Sequence, residues 1–342
     1  MIWLTWRQHR RQALFTLVAL LALAALMIPT GLMMRASYAD KGLAECLRVL
    51  NAVQPDPGRA GPCSRALNQF ADQFNSMSLL GVLFLVLPLI VGLFWGAPLV
   101  AREVEQGTHR FAWTQGIGRR QWALVKFGFV AVVAVLVAVV YGLGMSWWVA
   151  PLTGAAQQNR FDVFFFDMQG VTPIGYTLFA VALGICAGVY WPRMMPAMAV
   201  TLGGFIGLRI LLTVLARPHY LPLETRAIPI EGTIGEPGGA SGDWIIDKGI
   251  RDAGGTMVLP GAQAACGAPP ANPAVPVGPE GPAGPAVGKC PPLEEFGEGA
   301  YNWQLYQPAD RFWLFQSIES GIFVALAAVL LYLAVRRIRR VA

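Results

Sequence analysis

The ionisable and sulfur-bearing side chains limit the chemistry open to this chain. Its three histidines, His9, His109 and His219, fall on separate segments, with no cysteine or carboxylate at metal-ligand spacing. No zinc or two-metal centre is therefore expected. None of the four lysines, Lys41, Lys126, Lys248 and Lys289, follows a glycine-rich run and precedes a Ser or Thr. A phosphate-cradling loop needs that arrangement, so this chain is not expected to bind nucleotide in that way. A nucleophile elbow is missing too, and no catalytic residue is assigned.

Two ionisable groups interrupt apolar stretches, Arg209 and Glu319. Counted from the ends of their stretches, both lie roughly 10 Å deep at 1.5 Å per residue. A lone charge at that depth costs about 2.5 to 3.5 kcal/mol on insertion scales, so the two are expected to pair. Gln316, one turn before Glu319, is a third candidate member. The pair either latches one end of a path or clips two helices together. Four of the five cysteines fall two by two, Cys46 with Cys63 and Cys266 with Cys290. Local pairing is expected for both, although four cysteines allow three connectivities. Cys186 stands alone between small residues and reads as packing.

The elements carrying these groups follow from composition. With 55% apolar residues, 13% charged residues and a mean hydropathy of +0.50, the chain belongs in a bilayer. Six stretches approach the roughly 20 apolar residues that a spanning helix requires. They run Ala13–Met34, Leu79–Val100, Phe127–Val149, Val171–Trp191, Ala197–Leu215 and Phe312–Val335. The expected fold is thus an all-α integral membrane protein of six transmembrane helices. With both termini inside, the inner segments hold 13 Lys/Arg against Glu103 and Glu105, and the outer ones 12 against 17 acids. That asymmetry sets an N-in/C-in topology, accounts for the net charge of +6 and leaves no need for nucleic acid as a partner.

The first stretch is too long for a signal-peptide core and is expected to be retained. Residues 1–12 place Ile2, Trp3 and Trp6 near one helical face, as an amphipathic interfacial helix would. Segment 13–215 then holds five spans, 312–335 the sixth, and 336–342 a basic cytoplasmic tail. Between the fifth and sixth spans lies a large extracytoplasmic loop, 216–311. Its middle, about 260–292, is so rich in Pro and Gly that it reads as partly disordered. The flanks around Trp244 and Tyr301 carry enough apolar residues to pack as small elements. Glycines four apart (Gly92/Gly96, Gly184/Gly188, Gly203/Gly207) allow close helix approach, and Pro88 and Pro98 allow bends in the second span.

The polar insert 101–126 after the second span is the longest inner segment. Glu103 and Glu105 continue the helix inward, Gly107 breaks it and Thr108 can cap a short following helix. His109, Arg110 and Arg119 surround the apolar anchor Trp113. Aromatic side chains ringed by charge suit a rigid protein contact. All inner segments together reach roughly 50 residues, short of an ordinary domain, so nucleotide chemistry must sit on a partner.

On these features (six spans, a basic N-terminal helix, the E-x-E-x-G-T…R-R-x-W…K pattern and a large outer loop) the chain resembles the permease subunits of ABC-2 type exporters. Within them it is similar to actinobacterial members. The resemblance implies that the insert is a coupling helix seated in a groove of an ATP-binding cassette subunit. That role would fall to Glu103, Glu105, Gly107, Thr108, His109, Arg110, Trp113 and Arg119. It implies two ATP-binding subunits, which hold the ATP and Mg²⁺, joined to two permeases, identical copies or a sister pair. It places the chain, as a multi-pass protein among membrane lipid, in the cytoplasmic membrane of a bacterium. A non-transporting sensor of an antibiotic-response complex would share these features. An intramembrane enzyme would need a larger polar cluster than Arg209 and Glu319.

Overall fold

The computed structural model describes residues 2–50, 57–105, 118–155, 159–191, 193–230, 242–264, 296 and 299–340. Ten α-helices, α1 to α10, and four strands lie among them. α1 (Ile2–Asp40) runs without interruption from the expected interfacial segment through the first span. α2 (Leu43–Leu50) and α3 (Pro57–Leu85) follow, joined by the Cys46–Cys63 disulfide. Cys266 and Cys290 lie outside the described residues. Cys186 is buried as a free thiol.

Among the described residues five helices are long and apolar enough to cross a membrane: Ala13–Asp40, Gln121–Gly154, Thr172–Tyr190, Met194–His219 and Ala309–Ile338. The expected second span, Leu79–Val100, is helical but broken into pieces. α3 ends at Leu85, and α4 (Leu87–Val91) restarts with Pro88 in its first turn. A π-helical turn, Gly92–Gly96, then leads into α5 (Ala97–Glu105). Its hydrogen bond from Ala97 N to Gly92 O spans five residues. A second π-turn, Leu212–Ala216, closes with Arg217 N donating to Leu212 O. Both turns end two residues before a proline, Pro98 and Pro218. Proline has no N–H for the carbonyl four residues back, and its ring crowds that carbonyl, so a widened turn relieves the clash.

α6 (Arg119–Gly154), the short α7 (Val163–Met168), α8 (Thr172–Tyr190), α9 (Met194–Leu211) and α10 (Phe312–Arg340) complete the helices. α8 is the axis: it packs against α4, the first π-turn, α5, α6, α9 and α10. Its glycines make this possible. A Cβ on Gly184 would lie 2.6 Å from Ala97 N and 2.7 Å from Gly92 O, and one on Gly96 would meet Val181 O at 2.6 Å. Two of the three glycine pairs therefore interlock backbone to backbone. Gly203 and Gly207 face open space instead.

The segment read as an outer loop contains more order than an all-α fold allows. β1 (Glu224–Pro229), β2 (Trp244–Arg251), β3 (Met257–Pro260) and β4 (Tyr301–Gln307) form an antiparallel sheet in the order β1-β4-β2-β3. On β4 the buried positions include Asn302 and Gln304, whereas Trp303 and Leu305 are only half-buried. Asn302 turns inward because its amide closes a double hydrogen bond with Ala264, donating to the carbonyl at 2.7 Å and accepting from the N–H at 2.8 Å. The expected disordered stretch, about 260–292, falls mostly outside the described residues.

Candidate functional site

At the sheet-bearing end of the bundle, four charged side chains converge in the interior. Asp167 comes from α7, Arg209 from α9, Arg217 from the 3₁₀ turn Arg217–His219 and Glu319 from α10. Asp167 and Glu319 are wholly buried, Arg217 keeps 1% of its side chain exposed and Arg209 keeps 13%. Arg217 grips Glu319 with both edges of its fork, Nε to Oε2 at 2.8 Å and Nη2 to Oε1 at 2.7 Å. Its Nη2 also donates to Asp167 Oδ1 at 2.6 Å, and Arg209 Nη2 donates to Asp167 Oδ2 at 2.5 Å. Tyr176 Oη, on the axial helix, stands 2.8 Å from Asp167 Oδ1 and 2.5 Å from Glu319 Oε1. Arg209 lies over the Tyr176 ring at 4.8 Å. Two guanidinium groups and two carboxylates sum to no net charge, which is the condition for burying them at moderate cost.

This arrangement corrects the expected Arg209–Glu319 pair. The two share a cluster but do not touch: Arg209 pairs with Asp167, and Glu319 pairs with Arg217. The widened turn before Pro218 brings Arg217 into the interior, where its fork can take Glu319. Gln316 belongs to a neighbouring joint. Its Oε1 accepts from the N–H of Val171 at 2.9 Å and of Thr172 at 3.3 Å, and its Nε2 donates to Phe166 O at 2.8 Å. It thereby serves the unsatisfied amides at the start of α8. The chain can turn there because Gly170 adopts φ +69°; a Cβ at that position would strike Gln316 Oε1.

An aromatic layer covers the cluster on the sheet side. Phe161, Phe166, Phe312 and Phe315 are buried together, with Tyr220 and Trp244 packed on them. Phe161 stacks on Trp244 of β2 at 5.7 Å, and the Arg217 guanidinium lies 4.2 Å from the Phe166 ring centre. Tyr220 Oη donates to Glu319 Oε2 at 3.4 Å. Burial first, and the Glu319 charge second, push the Tyr220 phenol up, so it remains a donor at ordinary pH. Asp243, just before β2, ties the sheet down: it pairs with Arg226 at 2.7 Å and accepts from Ala309 N at 2.9 Å.

The opposite end holds what is described of the insert. Glu103 forms an ion pair with the buried Lys126, which also lies 5.1 Å from the Trp122 ring centre. Glu105 Oε2 accepts from Met194 N, at the first turn of α9, at 3.3 Å. Within the chain these two acids bind α5 to α6 and α9. Gly107, Thr108, His109, Arg110 and Trp113 lie outside the described residues, and for Arg119 only the backbone is described. Among the described residues no group of His, Cys, Asp or Glu could hold a metal ion.

Asp167, Tyr176 and Arg217 escaped the sequence reading. Asp167 lies between the third and fourth apolar stretches, where the run Val163 to Phe166 is too short to stand out as a span. Arg217 stands just past the fifth apolar stretch, where a basic flank is ordinary, and nothing local distinguishes it.

A family model described as ABC-2 membrane transporter related matches residues 17–217, more than half of the 342-residue chain. The matched region contains Asp167, Tyr176, Arg209 and Arg217 but not Glu319. No curated protein and no solved structure matches the chain.

Proposed function

The chain belongs to the ABC-2 membrane transporter related family, and on that footing we propose that it is the permease of an exporter driven by a separate ATP-binding cassette subunit. ATP and Mg²⁺ reside on that subunit. The insert after α5 faces the cytoplasm and receives the push, and the sheet lies outside. Two permeases, identical or sister chains, enclose the path between them.

The observation carrying this reading is the placement of α9 between the two ends. Its first turn meets Glu105, and its last turn carries Arg209 into the charge cluster. The separation is about 22 Å at 1.5 Å per residue. Movement of the insert would pull α5, and α5 would pull α9 through the Glu105 contact. Arg209 would then shift against Asp167 on α7. The break at Val86 frees the π-turn Gly92–Gly96 and α5 to move relative to α3, carrying α8 with them through the interlocked glycines. Under this scheme the cluster is the outer latch, and nucleotide binding on the partner shifts its population between closed and open.

The test is affinity purification in mild detergent. An ATP-binding protein should co-purify, and Arg110→Glu should release it without changing the elution profile of the permease. ATP hydrolysis by the isolated chain, or a tag beside residue 110 reacting from outside intact cells, would refute the proposal.

A further inference from the structure

A groove of about 350 Å³ opens sideways between α9 and the broken second stretch. Leu89, Val163, Phe205 and Val214 form its apolar walls, and Arg209 and Asp167 lie among its lining residues. The residues around its mouth, Val86, Ile206 and Ile210, are exposed and apolar on segments that lie at membrane depth. Its volume is at the small end of ligand pockets, enough for one chain and a compact head.

Both members of the ion pair line the groove, but only the cation is open to solvent-sized molecules. Arg209 keeps 13% of its side chain exposed, whereas that of Asp167 is fully covered. A guanidinium carries five N–H donors. Among the described residues Arg209 spends one on Asp167 Oδ2 and one on Leu85 O, the latter at 3.4 Å where α3 ends. The remaining donors have no protein acceptor among the hydrogen bonds of the described residues. An apolar trough with a positive, planar donor at its base complements an oxyanion attached to a hydrocarbon chain.

We infer that this groove binds an anionic membrane lipid, its phosphate on Arg209 and one acyl chain along Leu89, Phe205 and Val214. The lipid enters from the bilayer beside α9, and its phosphate competes with Asp167 for the same guanidinium. Occupancy therefore loosens the Arg209–Asp167 pair, the link of the cluster attached to α9. This inference rests on reading the cluster as the outer latch, since only then does the loosened pair bear on transport.

The experiment uses the full chain in phosphatidylcholine nanodiscs with a phosphatidic acid probe carrying a diazirine on one acyl chain. A matched diacylglycerol probe supplies the tail without the phosphate. The phosphatidic acid probe should label peptides containing Val163 and Phe205 to Val214, at least tenfold more than the diacylglycerol probe. Arg209→Gln should reduce its labelling to the diacylglycerol level, and Arg209→Lys should retain part of it. Ile210→Trp fills the groove from an exposed position and leaves the guanidinium intact, so it should abolish labelling in a folded protein. Equal labelling by the two probes, or labelling that Ile210→Trp leaves unchanged, would overturn the assignment. Competition by excess inorganic phosphate would also overturn it, by making the ligand a soluble anion. Release of the ATP-binding protein by Arg110→Glu does not depend on the lipid, so the two readings fail separately.

Discussion

Replacing Arg217 with Met removes the charge but keeps the packing against Phe166. Four hydrogen bonds disappear, three to carboxylates at 2.6, 2.7 and 2.8 Å and one to Tyr176 Oη at 3.3 Å, and both carboxylates stay buried. If each bond were worth only the ~0.6 kcal/mol averaged for hydrogen bonds between membrane helices, the loss would be about 2 kcal/mol. Breaking a buried ion pair from one side costs about 3 to 5 kcal/mol, because the remaining charge is uncompensated. Arg209 still serves Asp167, Tyr220 still serves Glu319, and the single Tyr176 hydroxyl proton serves one of the two at a time, so the expected cost is near the lower end of that range, about 3 kcal/mol. Adding Glu319→Leu restores neutrality and leaves the Arg209–Asp167 pair intact. The double variant should be about 2 kcal/mol more stable than the sum of the single costs predicts, a coupling within the range for residues in contact. Equilibrium unfolding in mixed micelles, followed by tryptophan fluorescence, measures all four corners of this cycle. Single costs that add to within about 0.5 kcal/mol would mean that the two side chains do not interact, and the account of the cluster would be wrong.

Gly184→Val should cost about 3 kcal/mol or abolish monodisperse elution, because its Cβ would press on backbone atoms of Ala97 and Gly92; Gly203→Val, facing open space, should stay within about 0.5 kcal/mol. Lys126→Met should lower thermal stability in detergent by about 2 kcal/mol, below the usual cost of a buried pair since Glu103 is partly exposed, and Glu103→Leu in the same chain should recover most of it. Reducing the Cys46–Cys63 disulfide, which closes a 17-residue separation, should cost about 3 kcal/mol, read as a lower melting temperature with reductant that Cys46→Ser/Cys63→Ser reproduces.

Much of the helical scaffold was legible from hydropathy alone, because a spanning helix must show a long apolar run. Glycine spacing also pointed to the tight contacts of α8, although it could not tell Gly184, which meets a backbone, from Gly203, which meets nothing. Partner choice was beyond the sequence. Depth in the membrane put Arg209 and Glu319 at similar heights, but which charge meets which depends on how α7 folds back and where the turn before Pro218 aims Arg217. The sheet was hidden for a different reason. Along β4 the buried positions include the amides Asn302 and Gln304, so a search for alternating apolar residues looks at Trp303 and Leu305, the wrong face. Glu103 and Glu105 show the same limit, since sequence alone does not disclose that they accept from Lys126 and from the N–H of Met194.

The paired guanidinium and carboxylate groups have an electrical consequence. Carrying one elementary charge through the full field of an energised bilayer changes the energy by about 2.3 kcal/mol per 100 mV. Two positive and two negative groups that shift together transfer none. Moved as one body the cluster is therefore insensitive to voltage, and only a displacement of Arg209 against Asp167, as in the latch proposed above, would transfer charge.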